Sequence, residues 1–262
     1  MNTGARKVAL VTGASGGIGM AIAECFARDG HDVVIVARSG AALDAIAADW
    51  QRRHGVRVTV HAVDLAKPAG AQELFDAVTG SGIAIDFLVN NAGYGLFGEF
   101  KDSELKADVA MMTLNMLAPT VLTRRFLPQI IARRGRIMNV ASTAAFQPGP
   151  YMAVYYATKA YVLSLSEALG SELSTTGVTV TALCPGPTAS GFQDKAAMHD
   201  SGLVKGKHLP SSESVGAAGY RAMMAGKRVY IPGVMNKLMA ASVRVSPRNL
   251  VTRVVKAMSA PK

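Results

Sequence analysis

The chain is poor in the residues that would make it a disulfide scaffold or a metalloprotein. It has two cysteines, Cys25 and Cys184, and neither stands in a CxxC pair or beside a partnered histidine. A disulfide framework has no material to form from, and two buried, reduced thiols in a cytoplasmic protein are the expectation. The five histidines, His31, His54, His61, His199 and His208, make no HxxxH or HExxH spacing, so no metal is expected. No apolar run reaches the roughly 18 residues that a membrane-spanning helix needs. The first residues, MNTGARK, lead directly into an apolar strand without the apolar core of a secretory signal, so none is expected. Aromatic residues are only 6% of the chain and are not interleaved with basic ones, which argues against a stacking surface for nucleic acid.

Acidic residues are missing from one end. Glu213 is the last of them, and nine lysines and arginines follow it, the final one Lys262, in a chain of net charge +10. A solvated basic face is the plain reading of this segment. Nucleic acid, an anionic membrane surface and an acidic substrate are the other partners such a face can meet. Nucleic acid is set aside, and peripheral membrane contact through this basic C-terminal extension, 234–262, is kept as a secondary option.

What is abundant is apolar sequence, half of the 262 residues, arranged as short β-rich runs alternating with helical patterns. The runs 7–11, 33–37, 56–62, 87–90, 135–140, 178–184 and 229–231 read as strands, and 17–29, 41–54, 69–79, 103–131, 155–175 and 211–225 as helices. Continuous apolar strands alternating with helices predict a parallel sheet buried on both faces, and right-handed crossovers make it doubly wound. One α/β domain over 1–262, a three-layer sandwich, is expected. The mostly polar segment 190–210 lies near the carboxyl end of a strand, where insertions tend to cover ligands. Segment 235–258 has helical spacing interrupted by Pro247.

Between the first strand and first helix lies Thr12-Gly13-Ala14-Ser15-Gly16-Gly17-Ile18-Gly19. Glycines there allow a tight turn and close approach to a pyrophosphate, and the helix N-terminus supplies free N–H groups. Gly13, Ser15, Gly17, Ile18 and Gly19 are therefore candidate dinucleotide contacts. The second strand ends in Ala37-Arg38-Ser39, without the acid that binds a ribose 2′-hydroxyl. Arg38 suits a 2′-phosphate, so NADP (NADPH) is the expected cofactor.

Tyr155 and Lys159 stand four residues apart, one turn of a helix, and Ser142 lies thirteen residues before Tyr155. An ammonium beside a phenol favours the phenolate and is expected to lower its pKa from about 10. Of the neighbours Tyr151, Tyr155 and Tyr156, only Tyr155 has a lysine at this offset. Ser164 and Ser166 lack the GxSxG turn of a hydrolase nucleophile.

These residues, with Asp64, Asn90-Asn91-Ala92-Gly93, Asn115 and Pro185-Gly186 in this order, resemble the short-chain dehydrogenase/reductase family across about residues 6–233. The resemblance implies a seven-stranded Rossmann-type sheet and hydride transfer to or from a nicotinamide. It assigns Tyr155 as general acid or base, with Lys159 lowering its pKa and holding the nicotinamide ribose. Ser142 is to hold the substrate oxygen, and Asn115 a water leading from Lys159 to solvent. Asp64, followed by Leu65, resembles the adenine contact, and a helix cap is its plainer reading. Asn90, Ala92 and Gly93 are to line the adenine-ribose side, and Pro185, Gly186 and Thr188 the nicotinamide. Relatives that use NADP often carry a basic residue where Gly16 stands here, which leaves Arg38 alone for the 2′-phosphate. A homodimer or homotetramer through helices 103–131 and 155–175 is also implied.

The pocket walls expected from sequence are Tyr94, Leu96, Ala144, Phe146, Tyr151, Pro187 and Phe192, with Ser142 at the reacting oxygen. Their apolar character points to a hydrophobic ketone, a 3-oxoacyl group or a steroid-like substrate. The alternative is a protein that binds NADP as a sensor or scaffold without chemistry. Loss of chemistry would be expected to erode the set Asn115, Ser142, Tyr155 and Lys159, and all four are present.

Overall fold

Successive residues of a strand point to opposite faces of a sheet, so a strand with no polar position must be covered on both sides. The first strand shows this directly. Ala9 and Val11 pack with Ile22, Phe26, Val33 and Tyr220 on one face, while Leu10 between them packs with Val34, Leu74 and Phe126 on the other. The computed structural model describes residues 6–196, 198, 201, 202, 206 and 208–260. His199, Lys262 and parts of segment 190–210 lie outside these described residues.

The chain runs β1 (Val8–Thr12), α1 (Gly17–Arg28), β2 (Asp32–Ala37), α2 (Gly40–His54), β3 (Val58–Ala62), α3 (Gly70–Gly80) and β4 (Phe87–Asn90). A 3-10 turn, Phe100–Asp102, precedes α4 (Leu105–Met112), a π-helical turn Thr113–Leu117 and α5 (Ala118–Ala132). Then come β5 (Arg136–Val140), a 3-10 turn Thr143–Phe146, α6 (Ala153–Glu172), β6 (Thr179–Leu183), the short α7 (Phe192–Lys195), α8 (Ser212–Met224) and β7 (Val229–Tyr230). Two further helices, α9 (Val234–Ser242) and α10 (Arg248–Ser259), follow the last strand. All seven strands are parallel in one sheet of order β3-β2-β1-β4-β5-β6-β7. The chain moves outward from β1 to β3 and then crosses back to β4. Beside β1, at this reversal, the sheet opens a crevice at the strands' carboxyl ends.

Local chemistry sets several boundaries. The Ser39 hydroxyl accepts from the Ala42 amide and caps α2, and Gly55, at φ +65, ends it in the left-handed conformation that glycine adopts without strain. Ser211 caps α8 through the Ser214 amide. Pro247 is the N-cap of α10, which is why the apolar pattern of 235–258 forms two helices instead of one. The expected helix 103–131 forms as one run, Leu105–Ala132, with a π turn at Thr113–Leu117 inside it.

The sheet's centre contains a buried polar ladder. Asn90 on β4 donates to Thr123 on α5 (3.0 Å) and to Asn139 on β5 (2.8 Å), and Asn139 donates to Ser166 on α6 (2.9 Å). Buried amides that satisfy one another fix register, and a broken member leaves its partner stranded. Replacing Asn139 by Leu leaves Asn90 and Ser166 without that partner. Urea unfolding of Asn139→Leu is expected to show a loss of about 2–4 kcal/mol.

Candidate active site

The glycine turn is held from across the crevice. Thr12, the last residue of β1, accepts on its hydroxyl from the amides of Asn91 and Ala92, both at 3.0 Å. The Asn91 side chain donates back to the carbonyls of Thr12 (2.9 Å) and Gly13 (3.2 Å). A Cβ at Gly19 would lie 2.2 Å from that Asn91 amide nitrogen, so only glycine fits where α1 meets this brace. Gly13 and Gly17 have φ of +67 and +60, and α1 begins without a side-chain cap. Its first N–H groups thus face the crevice unclaimed by a capping residue, beside exposed Ser15 and half-buried Ile18. The residues here suit a pyrophosphate by the chemistry of their donors and by the cradle that a Cβ would fill.

Arg38 is exposed just past β2 and makes no ion pair or side-chain hydrogen bond among the described residues. Asp64, past β3, accepts from the Ala66 amide at 3.0 Å in a turn, does not cap α3, whose N-cap is Ala69, and keeps a second carboxylate oxygen for other partners. Two expected contacts sit differently. Leu65 is buried in the core beneath the crevice, and the Asn90 side chain is buried too, its amide nitrogen donating to the polar ladder and its oxygen without a partner among the described residues.

Ser142, Tyr155 and Lys159 come together at the end of β5. The Lys159 ammonium donates to the carbonyl of Val140 at 2.8 Å and stands 5.7 Å from the centroid of the Tyr155 ring. Ser142 follows Val140 by two residues, and its hydroxyl donates to the Pro185 carbonyl (3.3 Å), accepts from the Ala144 amide (3.1 Å) and meets the Tyr155 phenol. Gly93 lies between Lys159 and Asn115, where a Cβ would be 3.5 Å from the ammonium and 3.0 Å from the Asn115 oxygen. The Pro185-Gly186 corner abuts Asn236 on α9, and the buried Thr188 hydroxyl donates to the Gly186 carbonyl at 2.9 Å.

One expectation about these residues needs correction. Burial, the largest influence on Tyr155, raises its phenol pKa above the ordinary 10, while the bond with Ser142 pulls it down. The expected lowering by Lys159 is not among the influences on this phenol, and removing the phenolate from water outweighs the bond with Ser142. The same burial lowers Lys159 to about 8. Asn115, in the π turn, spends its amide on protein. It donates to the Tyr94 carbonyl (2.9 Å) and to Thr158 (3.0 Å) and accepts from the Tyr94 amide (3.2 Å). Its side chain thus ties the loop after β4 to α6.

The apolar cluster around Tyr155 contains Met111, Ala144, Met152, Tyr156 and Met198, with Tyr94, Leu96, Phe97 and Phe192 against it. The Phe192 ring on α7 is 5.4 Å from that of Tyr155. Tyr151, at φ +67, packs on Phe97 with ring centroids 6.0 Å apart. Phe146 and Pro187 do not join the cluster. The 3-10 turn carries Phe146 round to the side of Leu163 and Ala182, and Pro187 faces solvent. Sequence reading missed Gly95, where a Cβ would be 3.1 Å from the Tyr155 ring, and Val251 and Val255 on α10, which close the cluster from the far end of the chain. The i, i+4 spacing of those valines was their only signal.

A family model described as short chain dehydrogenase matches residues 7–200. A short-chain dehydrogenase from Sphingobium yanoikuyae, solved in complex with NADPH, superposes with TM-score 0.81 at 33% identity, covering 91% of this chain and 94% of that one. L-Sorbose reductase from Gluconobacter frateurii, complexed with NADPH and L-sorbose, gives TM-score 0.76 at 30% identity, covering 88% of this chain and 97% of that one. A very-long-chain 3-oxoacyl-CoA reductase of Laccaria bicolor is 34% identical over 183 residues, 68% of this chain and 54% of the relative.

The buried ammonium has a consequence for stability. With Lys159 at about 8 when folded and near 10.5 when unfolded, the unfolded chain binds more protons between those values. Its contribution is therefore least favourable below about pH 8 and improves as pH rises toward 10.5. Lys159→Met is expected to raise the melting temperature at pH 7 by about 2–4 °C or more. The gain should shrink at pH 10, as followed by circular dichroism on both proteins.

Proposed function

The chain belongs to the short-chain dehydrogenase family, and on that footing we propose that it transfers a hydride between NADP(H) and the carbonyl or secondary alcohol of a hydrophobic substrate. At the coarser level it is an oxidoreductase of carbonyls and alcohols that works with NAD(P)H. The observation that carries the reading is the meeting of Ser142, Tyr155 and Lys159 at the end of β5, beside a crevice whose glycine turn suits a dinucleotide. Arg38 supports the choice of NADP, being a free guanidinium at the strand end where an acid would select NAD. Two structural relatives were solved with NADPH.

Bound NADPH would supply the hydride. Ser142 holds the substrate oxygen with its hydroxyl and takes up part of the negative charge that develops there. Tyr155, kept protonated by burial, gives its proton to that oxygen, and in the reverse direction takes one back. Lys159, charged below about pH 8, stabilises the phenolate that remains. Asn115 positions α6 through Thr158, whose own hydroxyl donates to the Tyr155 carbonyl at 2.7 Å.

The substrate class is read from the walls. Relatives act on substrates as unlike as a sugar and a very long acyl chain, so family membership does not select one. Here the residues about Tyr155 are methionines, aromatics and valines, which favour a hydrophobic ketone, 3-oxoacyl group or steroid-like ring over a polyol. Segment 190–210 serves as the lid. Ser190 lies over Gly17 at the helix start, and Phe192 covers Tyr155. A homodimer or homotetramer is part of this reading, supported by exposed Leu105, Val109 and Leu117 around α4 and the π turn.

The test is NADPH oxidation by the full chain against a panel of bulky ketones and 3-oxoacyl thioesters. Tyr155→Phe is expected to lower kcat/KM by about 10²–10⁴-fold while NADPH binding persists. NADPH binding without turnover on the whole panel would favour a sensor or scaffold instead. For the cofactor, Arg38→Asp is expected to raise the KM for NADPH by tenfold or more, with NADH little affected, through loss of the guanidinium–phosphate pair. Equal losses with both cofactors would remove Arg38 from nucleotide choice.

A further inference from the structure

Eight of the twelve large apolar side chains exposed on the described surface belong to the last two helices and the link between them. On α9, Val234 is 73% exposed, Met235 67% and Leu238 59%, with Met239 beside them. On the link, Val245 is 87% exposed. On α10, Leu250, Val254 and Met258 recur at intervals of four and form one outward stripe, 54%, 49% and 42% exposed. The neighbouring stripe, Val251, Val255 and Ser259, is buried. It packs into the apolar cluster around Tyr155, and Ser259 comes alongside the Tyr156 phenol. The two helices therefore have two apolar faces, and only the inner one has a protein partner here.

Charge identifies what suits the outer face. Residues 234–260 carry five cations, Lys237, Arg244, Arg248, Arg253 and Lys256, and no acid, and all five are exposed. None of the five forms an ion pair among the described residues. A second copy of the chain is a poor occupant, since a twofold contact sets like patches together and would oppose cation to cation. Nucleic acid would use the cations and leave leucine, valine and methionine without purpose. An anionic bilayer surface satisfies both features, with apolar side chains entering the acyl boundary and cations meeting lipid phosphates and carboxylates. No helix among the described residues is long and apolar enough to cross a membrane, so the contact is with the surface.

We propose that the outer face of α9 and α10 docks this protein onto an anionic phospholipid surface. Because the inner face of α10 closes the cluster around Tyr155, docking brings that cluster next to the lipid. This suits the hydrophobic substrate proposed above, but the docking does not depend on the enzymatic reading and is tested without turnover.

The experiment is co-sedimentation of the full chain with vesicles of phosphatidylcholine alone and with about one third phosphatidylserine. Binding is expected only with phosphatidylserine present, and about 0.5 M salt should release most of it by screening. Arg253→Ala with Lys256→Ala, and separately Leu250→Ser with Val254→Ser, should each weaken partitioning by roughly tenfold or more. All four positions are exposed, so the melting temperature should stay near that of the parent and control for folding. Protein remaining in the supernatant with phosphatidylserine vesicles would overturn the proposal. So would binding unaffected by the Leu250/Val254 pair, which would reduce the effect to diffuse charge. If sedimentation velocity shows that Leu238→Ser splits an oligomer while vesicles capture nothing, the face is a contact between copies.

Discussion

A buried ammonium binds the reactive helix to the sheet. Lys159 on α6 donates to the Val140 carbonyl at the last position of β5, and Ser142 stands two residues beyond that carbonyl. Tyr155 is one turn earlier on the same helix, so this bond sets the phenol over the serine hydroxyl. The polar ladder Asn90–Asn139–Ser166 joins the same strand and helix deeper in the core and keeps their register. The reactive residues thus lie on rigid elements, whereas the covering residues lie on a short helix and the chain's end.

Burial makes the site costly. A desolvated lysine, a phenol held protonated and the Cys184 thiol, pushed up to about 12 by burial near Lys159, are all withdrawn from water here. Each would be easier to keep in water. The protonated phenol is the form that donates, so the desolvation that opposes the phenolate also prepares the acid. In the proposed reaction, stability given up at Lys159 becomes chemistry at Tyr155, the trade expected of functional sites.

Much of this was legible in the sequence because it depends on short spacing. Strand periodicity gave the sheet, and the Tyr155–Lys159 interval gave one face of a helix. The glycine turn was readable for its position between strand and helix. The misses have a common cause in longer-range geometry. The apolar pattern of 103–131 is compatible with a continuous helix, and nothing local marks the extra residue that turns Asn115 inward at the π turn. Phe146 looks like a pocket wall beside Ser142 until a 3-10 turn rotates it away. The direction of the Tyr155 shift was misjudged because the offset of its lysine is written in the chain and its burial is not.

By itself, then, the sequence determined what nearest neighbours determine: alternating elements, a parallel sheet, the spacing and order of Ser142, Tyr155 and Lys159, and a terminal segment without acids. Tertiary structure alone decided which groups lose water. It brought Val251 and Val255 against Tyr155 across almost a hundred residues of chain, turned Leu250 and Val254 outward, and committed the Asn115 amide to Tyr94 and Thr158. The physical reason is that desolvation depends on everything that packs around a group, and most of those neighbours are distant in sequence.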